Sequence, residues 1–329
     1  MRVAVTGASG FVGRAVIAAL IARGDQSVAL GRNPESMDFP GAVICRRFDP
    51  NDARPQPEPF ENVDVVIHLA GESVAGRWNE TKKRAIWNSR VEGTRNLVQS
   101  IAACAKPPSA LICSSGAGFY GARGDEPLFE TSQPGEDFLA RVCVQWESAA
   151  VGAETHGIRT AMLRTGIVLG DSGGALGSMA RPFRFGVGGP LGSGRQFVPW
   201  IHIDDLVSLY LFVIDREMRG AINAVAPDYA TSARFAQALG SALQRPALVP
   251  APAVALRAIL GEFASTVLAS QLVIPARAED AGFTWRYTFV ETAMAQALHS
   301  KVAAPYGIET FESRQTVRAS ATEVFAFFG

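Results

Sequence analysis

The sequence predicts an α/β fold, a doubly wound parallel sheet followed by a smaller C-terminal region. Short β-branched runs alternate with helical patterns through the first half of the chain, and this alternation is typical of parallel strands joined by right-handed helical crossovers. A glycine-rich turn follows the first of these runs. The 329 residues are 48% hydrophobic and 19% charged, which is enough apolar surface for a large core.

The expected elements alternate along the chain. The first strand is Arg2–Thr6, and the helix 14–23 follows with apolar residues on one face until Gly24 ends it. The strand at 63–69 is apolar enough to be covered on both faces, as in parallel sheets. The other expected strands are 26–30, 42–48, 110–115, 160–169, 197–203 and 221–226, and the other helices are 82–105, 133–156, 204–214, 231–244 and 254–268.

Charge and cysteine content exclude several classes of function. Lys+Arg is 31 and Asp+Glu is 31, so the balance indicates neither nucleic acid nor a membrane surface as a partner. No apolar run approaches the roughly 20 residues that span a bilayer, and glycines interrupt the N-terminal stretch that resembles a signal peptide. The four cysteines form no C-x-x-C pair and have no His at zinc-ligand spacing. We expect a cytoplasmic protein without a metal site.

The turn Gly7–Gly13 joins the first strand to the first helix. In this context Gly7 permits a tight turn, Gly10 lets the backbone approach a pyrophosphate, and Gly13 lets the helix pack closely on the sheet. The helix N-terminus presents free N–H groups and a positive dipole to phosphates. The pattern therefore predicts a Rossmann-type dinucleotide-binding domain, with an ordinary strand-to-helix turn as the alternative.

Residues after the second and third strands bear on the choice of dinucleotide. NAD-specific sites place an Asp or Glu after the second strand to accept from the ribose 2′-OH, whereas Gly31 and Arg32 stand here. A guanidinium can bind a 2′-phosphate bidentately, so NADP(H) is expected and NAD(H) is less favoured. The alternative for Arg32 is a solvated loop residue. Asp49 could accept from the adenine amino group or serve as a turn residue.

Further motifs carry a resemblance to a known family. They are His68–Gly71, Gly71–Ser73, Arg77-Trp78 with Lys82, Ser89-Arg90, Phe119–Gly121, Trp146-Glu147, Arg164–Gly170, Gly188–Gly194 and Trp200–Asp205. With the glycine turn they make the chain resemble the extended short-chain dehydrogenase/reductases, and more narrowly the atypical "epimerase family" of NAD-dependent epimerase/dehydratase-like proteins. The resemblance covers roughly residues 1 to 300. It implies a dinucleotide cofactor, a small-molecule substrate and, by analogy with the superfamily, a homodimer.

The usual active-site residues of this superfamily are absent. Short-chain reductases use a Tyr as acid and base, a Lys four residues later that lowers its pKa, a Ser or Thr, and often an Asn. The corresponding positions hold Leu139, Cys143, Gly116 and Arg90. Because a leucine side chain cannot exchange a proton, hydride transfer by the standard mechanism is not supported. The atypical subgroup is itself described by this absence.

Other polar residues are therefore the catalytic candidates. Tyr120 is the best proton donor, with a structural neighbour as its alternative; Ser115 lies close to it in sequence. Glu72 follows the fourth strand, at the carboxyl end where ligands bind, and its alternative is a carboxylate that caps the next element. Arg90 either binds an anion or lies on a solvated helix face.

The dinucleotide is assigned to Thr6, Gly7, Ser9, Gly10, Phe11, Val12, Gly13, Arg32, Asp49, Leu69, Ala70, Gly71, Glu72 and Arg90. We assign residues 1–169 and 196–226 to the dinucleotide-binding domain and residues 170–195 and 227–300 to a substrate-binding region. The stretch 170–194 is rich in glycine and predicts a long loop. Its arginines, with Arg195, suit an acidic or phosphorylated substrate; a mobile lid with solvated arginines is the alternative.

Residues 301–329 form a separate tail. Thr310–Val317 alternates like a strand, Ser320–Glu323 is a capping box, and a short aromatic helix follows. This segment resembles the opening strand and first helix of a START-like, polyketide-cyclase-type domain, so we expect a truncated domain of that type.

Three functions are compatible with the sequence. The first is an NADP(H)-binding oxidoreductase or epimerase that acts on a small, anionic substrate with a non-standard acid/base set. The second is a catalytically silent dinucleotide-binding regulatory or scaffold protein. The missing Tyr and Lys favour the second, whereas the retained substrate loop favours the first. A lyase or isomerase with a structural nucleotide is a weaker third.

Overall fold

A seven-stranded parallel sheet forms the centre of the computed structural model, which describes residues 1–171 and 173–298. The strands are β1 Arg2–Thr6, β2 Gln26–Gly31, β3 Ile44–Arg47, β4 Val65–His68, β5 Ala110–Gly116, β6 Pro127–Leu128, β7 Arg159–Thr165, β8 Ile167–Leu169, β9 Trp200–His202, β10 Gly220–Ala224 and β11 Leu272–Val273. The central sheet has the order β10-β7-β5-β4-β1-β2-β3. This confirms the predicted doubly wound α/β fold.

Helices cover both faces of the sheet. They are α1 Phe11–Arg23, α2 Glu80–Trp87, α3 Gly93–Ala102, α4 Phe138–Val151, α5 Leu176–Arg184, α6 Ile203–Asp215, α7 Ser232–Leu243, α8 Ala253–Leu260, α9 Phe263–Val267, α10 Ala276–Asp280 and α11 Val290–Ala297. One core cluster joins α1 and α6 to the sheet, and another joins α3 and α4 to it. Every residue of β4 is buried, because helices shield this strand from both sides.

The strand order creates a crevice at the carboxyl edge of the sheet. From β1 the chain adds β2 and β3 on one side, then crosses back to place β4 on the other side of β1. Loops leaving β1 and β4 therefore diverge, and ligands of open α/β sheets bind at this switch point.

The structure corrects four expectations about the elements. The strand predicted at 160–169 ends at Thr165, because Gly166 lies against Pro199 so closely that a Cβ would be 2.7 Å from the carbonyl carbon. The chain then leaves the central sheet, and β8 pairs with β9. The predicted loop 170–194 contains α5, which buries three apolar residues. A π-helical turn, Asn88–Glu92, separates α2 from α3. The predicted helix 254–268 breaks at Gly261, where φ is +60°.

The C-terminal region packs against the edge of the sheet that carries β10. Helices α7 and α11 share a core cluster with α5, while β11 pairs with β6, a two-residue strand from the first half of the chain. Within the described residues, no helix combines the length and apolarity needed to cross a membrane. The expected START-like tail at 301–329 lies outside the described residues.

Candidate functional site

The backbone of the glycine turn requires glycine at Gly7 and Gly13 and leaves the N-terminus of α1 open. Gly7 adopts φ +66°, and a Cβ there would lie 2.9 Å from the Ala70 nitrogen. A Cβ on Gly13 would lie 2.2 Å from the Gly7 oxygen. Gly10 caps α1 without any side-chain hydrogen bond, and Arg14 is the first residue whose N–H bonds back to it. The preceding three N–H groups of α1 donate to no described residue and point out of the helix N-terminus.

A buried hydrogen-bonded chain supports this turn from below. The Thr6 hydroxyl accepts from the N–H groups of Leu69 and Ala70 at 3.2 and 3.4 Å, so its own hydrogen goes to His68 Nδ1 at 2.7 Å. His68 Nε2–H then donates to Thr94 Oγ1 at 3.0 Å. Burial, together with the Arg90 charge, lowers the pKa of His68 to about 4 and keeps the ring neutral. Thr6 therefore fixes β4 to β1.

The two residues expected to contact the adenosine half lie on the same edge of the sheet. Arg32 follows β2, is exposed, and is close enough to Glu72 for its charge to help lower the pKa of that carboxylate, after the larger effect of the Lys82 hydrogen bond. Asp49 Oδ1 accepts from the backbone and side-chain nitrogens of Asn51 at 3.0 and 3.2 Å. This geometry favours the alternative in which Asp49 is a turn residue.

Three polar side chains converge on Glu72, in the turn that follows β4. Lys82 Nζ lies 2.7 Å from Glu72 Oε1, and Ser89 Oγ accepts from the Glu72 N–H at 2.9 Å. Arg90 donates from Nη1 to the Glu72 carbonyl at 2.7 Å, so its guanidinium lies at the sheet edge rather than on a solvated helix face. The Lys82 hydrogen bond lowers the pKa of Glu72, which keeps this half-exposed carboxylate ionised.

The replaced catalytic positions do lie together. A Cβ on Gly116 would be 3.9 Å from Cys143 Sγ, and Leu139 packs against Gly118 with Cδ2 at 2.7 Å from a Cβ built there. Burial and the nearby Glu147 carboxylate raise the pKa of Cys143 to about 12. The thiol therefore stays protonated near neutral pH, and the usual acid/base pair has no replacement at its own positions.

Two of the catalytic candidates belong instead to a buried polar network. Ser115 Oγ donates to Glu147 Oε1 at 2.7 Å, and the Glu147 carboxylate forms a buried pair with Arg164 at 2.8 Å. Arg164 also donates to the Tyr120 hydroxyl at 3.0 Å, and that hydroxyl donates to Asn223 Oδ1 at 2.6 Å. Tyr120 is 0% exposed, and burial raises its pKa. This geometry favours the structural alternative for Tyr120 and leaves Glu72 as the accessible candidate.

The ring of Phe11 joins the glycine turn to the predicted substrate-binding region. Phe11, just after Gly10, packs against the glycines at 170, 173 and 174, where an added Cβ would lie 2.6 to 3.0 Å from the ring. The arginines at 181, 184 and 195 are exposed, and their side chains bond to no described residue. These three guanidinium groups of the predicted substrate-binding region therefore have no partner among the described residues. No cluster of His, Cys, Asp or Glu within the described ranges could hold a metal ion.

Sequence reasoning missed the roles of His68 and of the Glu147–Arg164 pair. Both motifs were visible, but only the fold shows that Glu147 and Arg164 meet, since they lie on different elements with 7% and 5% exposure. The His202 ring caps α6 by accepting from the Asp204 N–H at 3.2 Å. A signal for the buried pair existed in the presence of charged residues inside otherwise apolar elements.

The fold and these motifs correspond to a known sequence family. Residues 3–225 match the NAD dependent epimerase/dehydratase family, and residues 251–297 match a domain of unknown function, DUF1731. The first match spans well over half of the chain. The chain belongs to the NAD dependent epimerase/dehydratase family.

Relatives and solved structures agree with this membership. The mouse epimerase family protein SDR39U1 is 39% identical over 303 residues, 90% of this chain and 98% of the relative. The human protein of that name, crystallised with NADPH, is 34% identical with a TM-score of 0.80, covering 91% of this chain and 99% of the other. A nucleoside-diphosphate sugar epimerase from Corynebacterium glutamicum is 36% identical with a TM-score of 0.73, covering 91% and 58%.

Proposed function

We propose that this family member binds NADP(H) at the carboxyl edge of its sheet and acts as an oxidoreductase or epimerase on a small, anionic substrate. The observation that carries the proposal is that the open N-terminus of α1 and Arg32 lie on the same edge of the sheet. The glycine turn offers three free N–H groups to a pyrophosphate. Arg32 stands where an NAD-specific site places an acid.

The residues at the site fit an NADP(H) molecule. Gly7 and Gly13 allow the backbone of the turn to pack closely, since an added Cβ at either position would clash with neighbouring backbone. Arg32 is exposed on the same edge of the sheet. A guanidinium is suited to a 2′-phosphate because its planar donors match phosphate oxygens. The human relative crystallised with NADPH is consistent with this choice. Bound there, the nicotinamide would accept or donate a hydride.

The acid/base set in this proposal differs from the usual one. Leu139 and the protonated Cys143 cannot exchange protons at neutral pH. The Glu72–Lys82 pair is the polar group that the geometry leaves accessible beside the expected nicotinamide end, with Glu72 46% exposed. In the proposal, Glu72 accepts a proton from the substrate and Lys82 holds the carboxylate in place.

The substrate class follows from charge. Arg181, Arg184 and Arg195 are exposed and have no described partner, and anions pair well with guanidinium groups. A small carboxylated or phosphorylated molecule would therefore suit the region. We further propose that the protein works in the cytoplasm, which its four free cysteines support. A homodimer remains an expectation by analogy.

A catalytically silent, dinucleotide-binding regulatory or scaffold protein is the second candidate function. The observation that favours it is the packing at the former acid/base positions: Leu139 belongs to apolar clusters, and Cys143 is only 2% exposed. A protein under this description would bind the dinucleotide tightly and turn over no substrate.

Fluorescence titration with NADPH and NADH tests the cofactor assignment. The wild-type chain is expected to prefer NADPH, and Arg32→Ala is expected to weaken NADPH binding by about ten- to hundredfold, the range for a lost charge-assisted phosphate contact, while changing NADH binding little. Arg219→Ala is the matched control, because Arg219 is also exposed but precedes β10 at the opposite edge of the sheet. Unchanged NADPH affinity in Arg32→Ala would refute the assignment.

A substrate panel separates the two candidate functions. Ketones, aldehydes and sugar nucleotides, each with and without an anionic group, are added to the NADPH complex while absorbance at the reduced nicotinamide band is followed. Epimerisation without net oxidation is checked by chromatography of the sugar nucleotides. Turnover that Glu72→Gln abolishes supports the enzyme; tight NADPH binding without turnover across the panel supports the scaffold.

A further inference from the structure

The most exposed apolar side chains of the described chain lie in two neighbouring segments of its second half. They are Phe185, Val187, Leu248, Val254 and Ile259. Each is 57–83% exposed, more than any other large apolar side chain among residues 1–171 and 173–298. Single exposed apolar residues are ordinary, whereas contiguous apolar surface marks an interaction site.

Backbone pairing makes this apolar surface continuous. The segment after α5 runs beside the segment before α8, and the N–H of Val249 donates to the carbonyl of Gly188 at 3.1 Å. Two residues further on, the Ala251 N–H makes the same contact with the Pro190 carbonyl at 2.9 Å. Helix α8 continues directly from the second segment. We call this surface the apolar patch; its residues are Phe185, Val187, Leu248, Val249, Val254 and Ile259.

Helix α8 is apolar on its exposed side as well as on its inner side. Arg257 is the one residue of this eight-residue helix that is not apolar, and no residue of the helix is buried. A helix that is apolar on all faces is normally covered. Because Val254 and Ile259 stand in solvent, the outer face of α8 lacks a partner among the described residues.

The two segments that form the apolar patch have an unusual charge. Residues 173–201 and 229–261 contain no Asp, Glu or Lys, and every charged residue in them is an arginine. The chain as a whole has as many acidic as basic residues. Its zero net charge, from which we expected no membrane partner, therefore conceals a local excess of positive charge around the apolar patch.

Two of these arginines border the apolar patch and are available to an anionic partner. Arg245 and Arg257 are exposed, and their side chains bond to no described residue. Glu262, the nearest acid after α8 in sequence, is already paired with Lys83 of α2. The apolar side chains are thus accompanied by guanidinium groups whose charge no described acid neutralises.

We propose that the apolar patch docks this protein onto a membrane surface that contains anionic lipids. Its apolar side chains enter the headgroup region, while Arg245 and Arg257 contact the lipid phosphates. Interfacial binding of this kind combines buried apolar area with the attraction of basic residues to anionic lipids. Helix α8 lies on the surface, because eight residues are far too few to cross a bilayer. This docking does not depend on the proposed function.

Two features favour a bilayer over another protein as the partner. Side chains as exposed as Phe185 and Leu248 protrude from the surface rather than line a groove. A fluid bilayer accepts protruding side chains without matching pockets, whereas a protein partner needs complementary shape. A second copy of the chain, seated patch against patch, would bring arginines against arginines, and such like-charge contacts are unfavourable.

Flotation of the full chain with lipid vesicles tests the proposal. Vesicles of phosphatidylcholine mixed with phosphatidylglycerol are compared with vesicles of phosphatidylcholine alone, each at low and at high salt. The chain is expected to float with the anionic vesicles at low salt and to bind the neutral vesicles more weakly. High salt should weaken the binding to anionic vesicles, because it screens the exposed arginines.

Removal of the two arginines measures the electrostatic part. Arg245→Gln/Arg257→Gln should weaken binding to anionic vesicles by about five- to thirtyfold, since one basic residue near such a surface contributes roughly fivefold. Arg84→Gln/Arg219→Gln is the matched control, because it removes the same charge from exposed positions outside both segments. The arginines of α5 stay unchanged, since they are proposed to bind the substrate.

Removal of apolar surface measures the other part. Leu248→Ser/Ile259→Ser should weaken binding by about tenfold or more, because less apolar area enters the headgroup region. Phe129→Ser/Val151→Ser is the matched control, since both side chains are exposed and lie outside the two segments. All four side chains are exposed, so circular dichroism and the urea midpoint should show that every variant is folded.

Three outcomes would overturn the proposal. Failure of the wild-type chain to float with anionic vesicles would show that it does not bind this surface. Equal flotation of the wild type and both patch variants would place the lipid contact elsewhere on the molecule. Sedimentation velocity detects the other occupant: a dimer that Leu248→Ser/Ile259→Ser dissociates, in a chain that binds no vesicles, would assign the apolar patch to a second copy.

Discussion

The glycine turn makes the sharpest prediction, because its glycines are required for different reasons. Alanine at Gly13 would place a methyl 2.2 Å from the Gly7 oxygen, where ordinary contact begins near 3.4 Å. The helix would have to shift by about 1.2 Å, the difference between those distances. Such overpacking typically costs about 1–3 kcal/mol. Gly13→Ala should therefore lower the free energy of unfolding even without any ligand.

Gly10 has no comparable steric constraint in the free protein. Its φ of −74° and ψ of 172° suit any residue, and an added Cβ would meet only the Gly7 oxygen at 3.2 Å. The loss of a favourable N-cap and the reduced entropy of the unfolded chain act in opposite directions, so stability should change by less than about 1 kcal/mol. The methyl would, however, stand between the open N–H groups and a pyrophosphate.

The expected result is therefore a separation of stability from binding. Gly10→Ala should keep the urea midpoint of the wild-type chain and lose about ten- to hundredfold in NADPH affinity, equivalent to one charge-assisted hydrogen bond. Gly13→Ala should lose both. Urea denaturation followed by circular dichroism and NADPH fluorescence titration measure the two quantities. Wild-type NADPH affinity in Gly10→Ala would refute the placement of the pyrophosphate at this turn.

Three further predictions concern the buried groups around the site. Tyr120→Phe should lower the free energy of unfolding by about 1–3 kcal/mol, because it leaves a buried amide oxygen unpaired; a loss of NADPH affinity instead would contradict its structural role. Glu147→Gln should lower the free energy of unfolding by about 3–5 kcal/mol in urea denaturation, since Arg164 would keep an uncompensated buried charge. The control Glu126→Gln removes an exposed ion pair and should lower it by less than about 1 kcal/mol. Equal losses in the two variants would refute this difference. The pKa of His68 falls from 6.5 in the unfolded chain to about 4 in the fold, so the unfolded chain binds more protons between these pH values. The free energy of unfolding should therefore fall by about 2 kcal/mol from pH 7 to pH 5. A His68→Gln variant with the same pH dependence of stability would contradict this.

The buried network explains why candidate residues could not be ranked before the fold was known. Tyr120 and Ser115 are chemically suited to catalysis, and their position after β5 is correct for it. Their hydroxyls nevertheless turn toward Asn223 and Glu147, which lie on other elements. Local sequence carries no record of such long-range partners. Glu72 differs because its neighbours Lys82 and Ser89 lie close in sequence and share its edge of the sheet.

The sequence by itself determined the α/β alternation, the glycine turn and the absence of the usual acid/base residues. These features are local: strand and helix periodicity, the need for a positive φ at Gly7, and the identity of one side chain at each motif position. They were sufficient to predict the doubly wound sheet and a dinucleotide as its ligand.

Tertiary structure decided what each polar side chain can do. Its effects depend on contacts between distant segments: Arg90 reaches Gly71 and Trp146 through a π-helical turn that no periodicity predicted. Burial likewise fixed the neutral state of His68 and the protonated state of Cys143. Desolvation and hydrogen-bond direction are properties of the folded environment. The fold therefore decides which of the candidate residues predicted from sequence support the site and which of them face a ligand.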